Sequence, residues 1–260
     1  MRPLALRIAS LQYAFVRQIN DAHIFLNQAL PLLQEAKMEF VDSGHKKDRR
    51  YYVPAIRRTK FAKRKDFELR EIYSRFLDGG LYETFFISSV SQFESFLMDA
   101  LALVISDYPE KLGISVPGVA AGRQTNINVL FDSATLEEAR DRVIAEHLST
   151  VFRAAPTSYL RYVKEVVGVH TTDAAFDEYI EIKATRDLLV HNTGKINNVY
   201  LSKVGTKARG KLGDRVTVSR DYFDHSLATL KRCSGVVKRD VERIFQLGRA
   251  HNKVMKDSNG

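Results

Sequence analysis

Glu181-Ile-Lys-Ala-Thr-Arg-Asp-Leu-Leu-Val-His-Asn-Thr-Gly194 sets how the rest of the chain is read. Thr171-Thr172-Asp173, just upstream, offers oxygens that can accept from the free amides of a first helical turn. Phe176, Tyr179, Ile180, Ala184, Leu188 and Leu189 then recur at helical spacing, which predicts a helix with one buried apolar face. Asn192-Thr193-Gly194 ends it, because glycine takes the left-handed conformation that closes a helix.

His191 therefore belongs to the last turn, where the negative end of the helix dipole favours an imidazole that carries a proton. Arg186 lies five residues earlier, about 7.5 Å away along the axis and about 140° around it in an ideal helix. The two are not a natural pair within one helix. Cleavage of an RNA phosphodiester through its own 2'-hydroxyl needs a base, an acid and positive charge on the phosphate. Two copies of this helix about a twofold axis supply all of these, so a composite site between identical subunits is expected.

Asp187 directly after the arginine, then His191-Asn192, Gly194 and Asn197-Asn198-Val199-Tyr200-Leu201, resemble the HEPN superfamily (higher eukaryotes and prokaryotes nucleotide-binding). That family's pattern is Arg, a polar residue, three more residues and His. The resemblance is closest to bacterial members and extends more weakly from about Leu81 to about Leu230, through Phe93-Glu94-Ser95-Phe96. It implies an all-α bundle that dimerises through the motif helices, many members being metal-independent RNases that act as toxins or in defence against phage. Its catalytic pair falls on Arg186 and His191, with Asp187 as the orienting polar residue. One toxin branch, partnered by a nucleotidyltransferase antitoxin, has tyrosine two residues after the motif histidine. Thr193 stands there, so a tyrosine-modification switch is not carried over.

Length and composition set the wider frame. The chain has 260 residues, 45% of them hydrophobic, enough for one large core or two small ones. The single cysteine, Cys233, excludes an internal disulfide and fits a reducing cytoplasm; no Cys/His cluster suggests zinc, and no cofactor is expected. No apolar run reads as a membrane span and no cleavage pattern follows the start. Arg2, Arg7 and Arg17 without an acid have the charge of a transit peptide, but Leu4, Ile8, Leu11 and Phe15 favour an ordinary opening helix, kinked or divided at Pro31 and fading near Val41.

Charge is segregated. Residues 46 to 75 hold 12 Lys or Arg against 4 Asp or Glu, and residues 203 to 256 hold 14 against 5. The whole chain is only +9, so the remainder is acidic, and segregation of this kind suits a polyanion-binding surface. Tyr51, Tyr52 and Phe61 in the first block either stack on unpaired bases or anchor a solvated charged face. Lys231, Arg232, Lys238, Arg239 and Arg243 in the second either meet a polyanion or coat the outside of a closing helix.

Phe86, Val90, Phe93, Leu97, Leu101 and Val104 predict a central core helix that Tyr108-Pro109 stops. Glu94 on it faces either the cleft or, more in keeping with a lone carboxylate, solvent. Gly113 to Asn126 reads as a loop with a mobile Arg123, and Asn128 to Asp132 as a short element. Thr135 to Glu138 is a capping box, opening a helix that carries Val143, Ile144, Leu148 and a structural His147. A further helix runs from Thr157 to Gly168 and leads to His170, the other histidine worth testing.

Residues 195 to 220, ending in Arg215-Val-Thr-Val-Ser219, predict a small β-hairpin beside the motif helix. Lys195, Asn197, Lys207, Arg209 and Lys211 on it are the expected RNA-backbone contacts, with Asn192 and Asp187 holding the geometry of Arg186 and His191. Asp221 is expected to start a last helix, which carries Phe223, Leu227, Leu230, Val237, Val241, Ile244 and Leu247 inward before a tail frayed from 251 to 260. The organisation expected is thus a basic N-terminal segment, 1–78, and a HEPN-like helical domain, 79–250.

The function expected is a metal-independent endoribonuclease, a homodimer acting on RNA as a toxin or antiphage effector, held in check by an antitoxin or defence-system partner. The alternative is a non-catalytic module that binds nucleotide, RNA or a partner protein. No phosphate-binding Gly-rich loop, HExxH motif or nucleophile elbow points to another class.

Overall fold

The computed structural model describes residues 3–41, 43–56, 60–119, 128–168 and 174–257, with side chains through Phe245 except Asn128 and Leu130. The expected helix start at Thr171 to Asp173, His170 and Arg123 lie outside the described residues. The architecture is mostly helical: α1 (Leu4–Glu39), α2 (Asp66–Arg75), α3 (Leu81–Asp107), α4 (Asn128–Phe131), α5 (Leu136–Phe152), α6 (Pro156–Val167), α7 (Ala174–His191), α8 (Asn198–Val204) and α9 (Arg220–Asp257). Among the described residues one sheet pairs β1 (Arg49–Val53) with β2 (Lys60–Arg64), antiparallel.

α3 is the axis of the core. Phe86, Val90, Phe93, Leu97, Leu101 and Val104 are buried, as their spacing predicts, and α1, α5, α6, α7 and α9 pack around them. Gly79, at a φ of 148° that no helix uses, kinks the chain between α2 and α3, and the stretch Asp66–Asp107 includes a window apolar enough, at mean hydropathy 1.2, to cross a membrane by length and composition alone. The sequence reading found no such run. Its apolar residues are the ones that fill this core.

α1 is one helix rather than two. Pro31 faces solvent, so the backbone carbonyl it leaves without an amide partner can be hydrated. Leu4, Ile8, Phe15, Ile19 and Leu26 join the same core as α3 and α9, so α1 does not stand apart with the basic residues that follow it. Thr135 caps α5, its hydroxyl accepting from Glu138 N at 3.1 Å while Glu138 accepts from Ala134 N. α6 opens with Pro156 at its first position and closes on a left-handed Gly168.

One expectation about β-structure is corrected. Residues 195 to 220 do not form a hairpin: their pairing is the single bridge between Lys195 and Arg215, and α8 occupies the middle. One cause is Asn197, whose side chain accepts from Tyr200 N at 2.9 Å and starts a helix in the stretch that would have to supply a partner strand to Arg215–Ser219. The hairpin that exists lies in the first basic block. α9 extends to Asp257.

Candidate active site

α7 is buried round most of its circumference, by Ala175, Phe176, Tyr179, Glu181, Ile182, Ala184, Thr185, Leu188 and Leu189. A single apolar face was expected, and Glu181 and Thr185 fall outside it. They are admissible inside because they satisfy each other: Glu181 accepts from Thr185 Oγ1 at 2.6 Å, Tyr200 Oη at 3.0 Å and Tyr222 Oη at 2.8 Å. That carboxylate fastens α8 and α9 to the motif helix. α7 ends as predicted, with Asn192 N and Gly194 N both donating to Leu188 O, and with Thr193 and Gly194 at positive φ. A Cβ at Gly194 would stand 3.2 Å from Val216 O, so the position also admits the crossing chain.

The last turns of α7 border an open cleft of about 550 Å³. α8 forms a second wall and the junction of α5 and α6, Phe152 to Pro156, a third. Arg186 and His191 both line it, although an ideal helix sets them far apart around its axis, because the cleft wraps the helix end. Four basic side chains, Arg153, Lys183, Arg186 and Lys203, face it against one carboxylate, Asp187. A concave site with that imbalance attracts anions.

The guanidinium of Arg186 is held on two sides, donating from Nη1 to Asp187 Oδ1 at 3.2 Å and from Nη2 to Ser91 Oγ on α3 at 3.1 Å. Its Nε is buried and has no partner among the described residues. Asp187 also takes Lys183 Nζ at 2.6 Å and lies 3.8 Å from Lys203 Nζ. Lys183 in turn reaches Glu94 Oε1 at 3.3 Å. Burial pushes the Glu94 carboxyl above its usual range, and the pull of Lys183 and Arg186 does not cancel it. With its side chain 17% exposed and paired to Lys183, Glu94 is turned inward, not to solvent.

His191 is exposed and its ring hydrogen-bonds to no described residue, which leaves both nitrogens available to a ligand. Asp187 orients arginine and lysine but makes no bond to His191. Asn192 lines the cleft, yet its side-chain amide donates to Lys195 O and thus fixes the turn rather than the histidine. Among the described residues no three His, Cys, Asp or Glu side chains converge as a metal site would require.

No family model, curated protein or solved structure matches the chain.

Of the five expected RNA contacts, Asn197 alone lines the cleft, and its oxygen is committed to capping α8. Lys195, Lys207 and Lys211 are exposed outside it. Arg209 is a strut: it donates to Thr217 O at 2.7 Å and stacks 3.5 Å over the Tyr222 ring. Sequence reasoning missed Lys183, Lys203, Arg153 and Ser91. Lys183 was detectable, being four residues before Asp187 on one helix face. Arg153, Lys203 and Ser91 come from other helices and carry no local signal.

Proposed function

We propose that this chain is an endoribonuclease of HEPN type that works without a metal, as a homodimer, on an RNA phosphodiester held in the cleft at the end of α7. One observation carries the reading: a held guanidinium and a free imidazole face one cation-rich cleft. In the reaction the RNA 2'-oxygen attacks phosphorus as its proton passes to a base. The bond from phosphorus to the 5'-oxygen breaks, that oxygen takes a proton from an acid, and a 2',3'-cyclic phosphate remains. Arg186 and Lys183 offset the added charge on the phosphoryl oxygens, and His191 exchanges a proton. Growth arrest of a host, relieved by a partner protein or provoked by phage, would be the physiological setting.

One observation favours the second reading, a non-catalytic module: both terminal nitrogens of Arg186 already have protein partners. Purified full-length protein with end-labelled RNA in excess chelator separates the two. Cleavage to cyclic or 3'-phosphate ends is expected, reduced about 10²- to 10³-fold in His191→Ala and in Arg186→Ala. Cleavage that persists undiminished in His191→Ala refutes the catalytic assignment, and RNA bound but left at full length establishes the module.

A further inference from the structure

We propose that the β1–β2 hairpin is a second binding site, which takes unpaired RNA by stacking bases on Tyr52 and Phe61 and pairing phosphates with Arg50 and Lys63. The proposal rests on reading the chain as RNA-directed, but not on its cutting RNA. Residues opposite one another on an antiparallel pair share a face. The register pairs Tyr52 with Phe61 and Arg50 with Lys63, two residues away on the same side, so rings and cations form one surface. All four side chains are exposed, Tyr52 by 74% and Phe61 by 50%, with ring centroids 4.4 Å apart.

Folding alone does not account for this surface. Neither strand contains a buried residue, and a two-stranded hairpin without a core is marginal in water. Like charges directly opposite weaken it further, at both Arg49–Arg64 and Arg50–Lys63. The first pair is compensated within the protein: Arg49 donates to Asp66 Oδ1 at 2.8 Å and to Oδ2 at 3.3 Å, while its guanidinium packs on Phe40. Among the described residues Arg50 and Lys63 reach no carboxylate. Two uncompensated cations beside an uncovered pair of rings are complementary to a flexible polyanion with aromatic faces, which is unpaired RNA. In duplex RNA the base faces are already stacked, so the rings gain nothing from it. An acidic membrane would answer to the cations and to Ile56, fully exposed in the turn, but it gives no role to the ring pair within the strands, and the vesicles below separate the two.

The test is fluorescence anisotropy of full-length protein carrying His191→Ala, so that RNA stays intact, with labelled oligouridylate, a duplex RNA and phosphatidylserine vesicles. Tyr52→Ala and Phe61→Ala are each expected to weaken oligouridylate binding roughly 5- to 100-fold while Tyr52→Phe retains it. Arg50→Ala and Lys63→Ala should each lower the salt slope by about 0.7. Duplex binding should change less than about 2-fold against that loss. Oligouridylate binding unchanged in the Tyr52→Ala/Phe61→Ala protein, an equal loss on the duplex, or a loss confined to vesicles overturns the proposal. A chain that cuts RNA and shows any of these keeps its nuclease reading; a chain that cuts nothing but loses oligouridylate with the rings keeps the hairpin site.

Discussion

Replacing Glu181 tests whether the cleft is held open by the polar knot behind it. The carboxylate is 8% exposed and accepts three hydroxyl hydrogen bonds, from Thr185, Tyr200 and Tyr222, at 2.6, 3.0 and 2.8 Å. A hydrogen bond to a charged group contributes about 1.5–3 kcal/mol net, and a buried hydroxyl left without a partner costs about 1–3 kcal/mol. Because three donors share one acceptor, and Thr185 lies on the same helix, these figures do not add. Glu181→Gln keeps one acceptor oxygen and its volume, and is expected to cost about 2–3 kcal/mol. Glu181→Ala also opens a void and is expected to cost about 4 kcal/mol. Urea unfolding followed by far-ultraviolet circular dichroism at neutral pH measures both. A double-mutant cycle with Tyr222→Phe should give a coupling of about 1–2 kcal/mol. Tyr200 lines the cleft, so activity should fall with the knot even though Glu181 does not line it. A Glu181→Gln protein within about 0.5 kcal/mol of the parent, or a coupling near zero, would refute this account.

The remaining predictions concern pH. His147 is partly buried with Nε2 2.8 Å from the Tyr162 hydroxyl; burial pushes the imidazole below its ordinary value and the phenol up to about 12. The unfolded chain then takes up a proton before the folded one does, so stability should be full above about pH 6.5 and fall as pH drops through that value. Denaturation profiles of His147→Gln should lose that slope, and an unchanged slope assigns it elsewhere. Glu94 has the opposite sense for an acid: with its folded value raised by burial, stability should decline as pH rises through the carboxylate range. Glu94→Gln should therefore compare more favourably with the parent at about pH 8 than at about pH 4, and a constant difference between the two would contradict the burial of a costly charge.

What the sequence made legible was local. The α3 core stripe, the end of α7 and the Thr135 cap each follow from residues within a turn or two of one another, and each stands in the structure as read. The failures are of another kind. Arg215 to Ser219 alternates in burial as read, with Val216 and Val218 inward, but Asn197 starts α8 where a partner strand would have to run, so the segment pairs only at the Lys195–Arg215 bridge. Glu94 had no visible partner because Lys183 lies on another helix, 89 positions away in the chain. Lys203, Arg153 and Ser91 reach the site only through packing, and Arg209 reads as a phosphate ligand until Tyr222 is beneath it.

The proposed reaction, not the fold, is what calls for a second subunit. In-line displacement at phosphorus needs one group to take a proton and another, across the phosphorus, to give one. His191 is the one imidazole among the described residues that line the cleft. Tyr200 lines it too, but burial raises the pKa of its hydroxyl, which already donates to the buried Glu181 and so has no proton to exchange. Lys183 is clamped between Glu94 and Asp187, and both terminal nitrogens of Arg186 are occupied. One chain thus presents abundant positive charge but one proton carrier. If the chain is the nuclease proposed, the second proton carrier is expected from the His191 of a second copy about a twofold axis. On this reasoning a monomer would bind phosphate without cutting RNA, and the nuclease reading and the dimer stand or fall together.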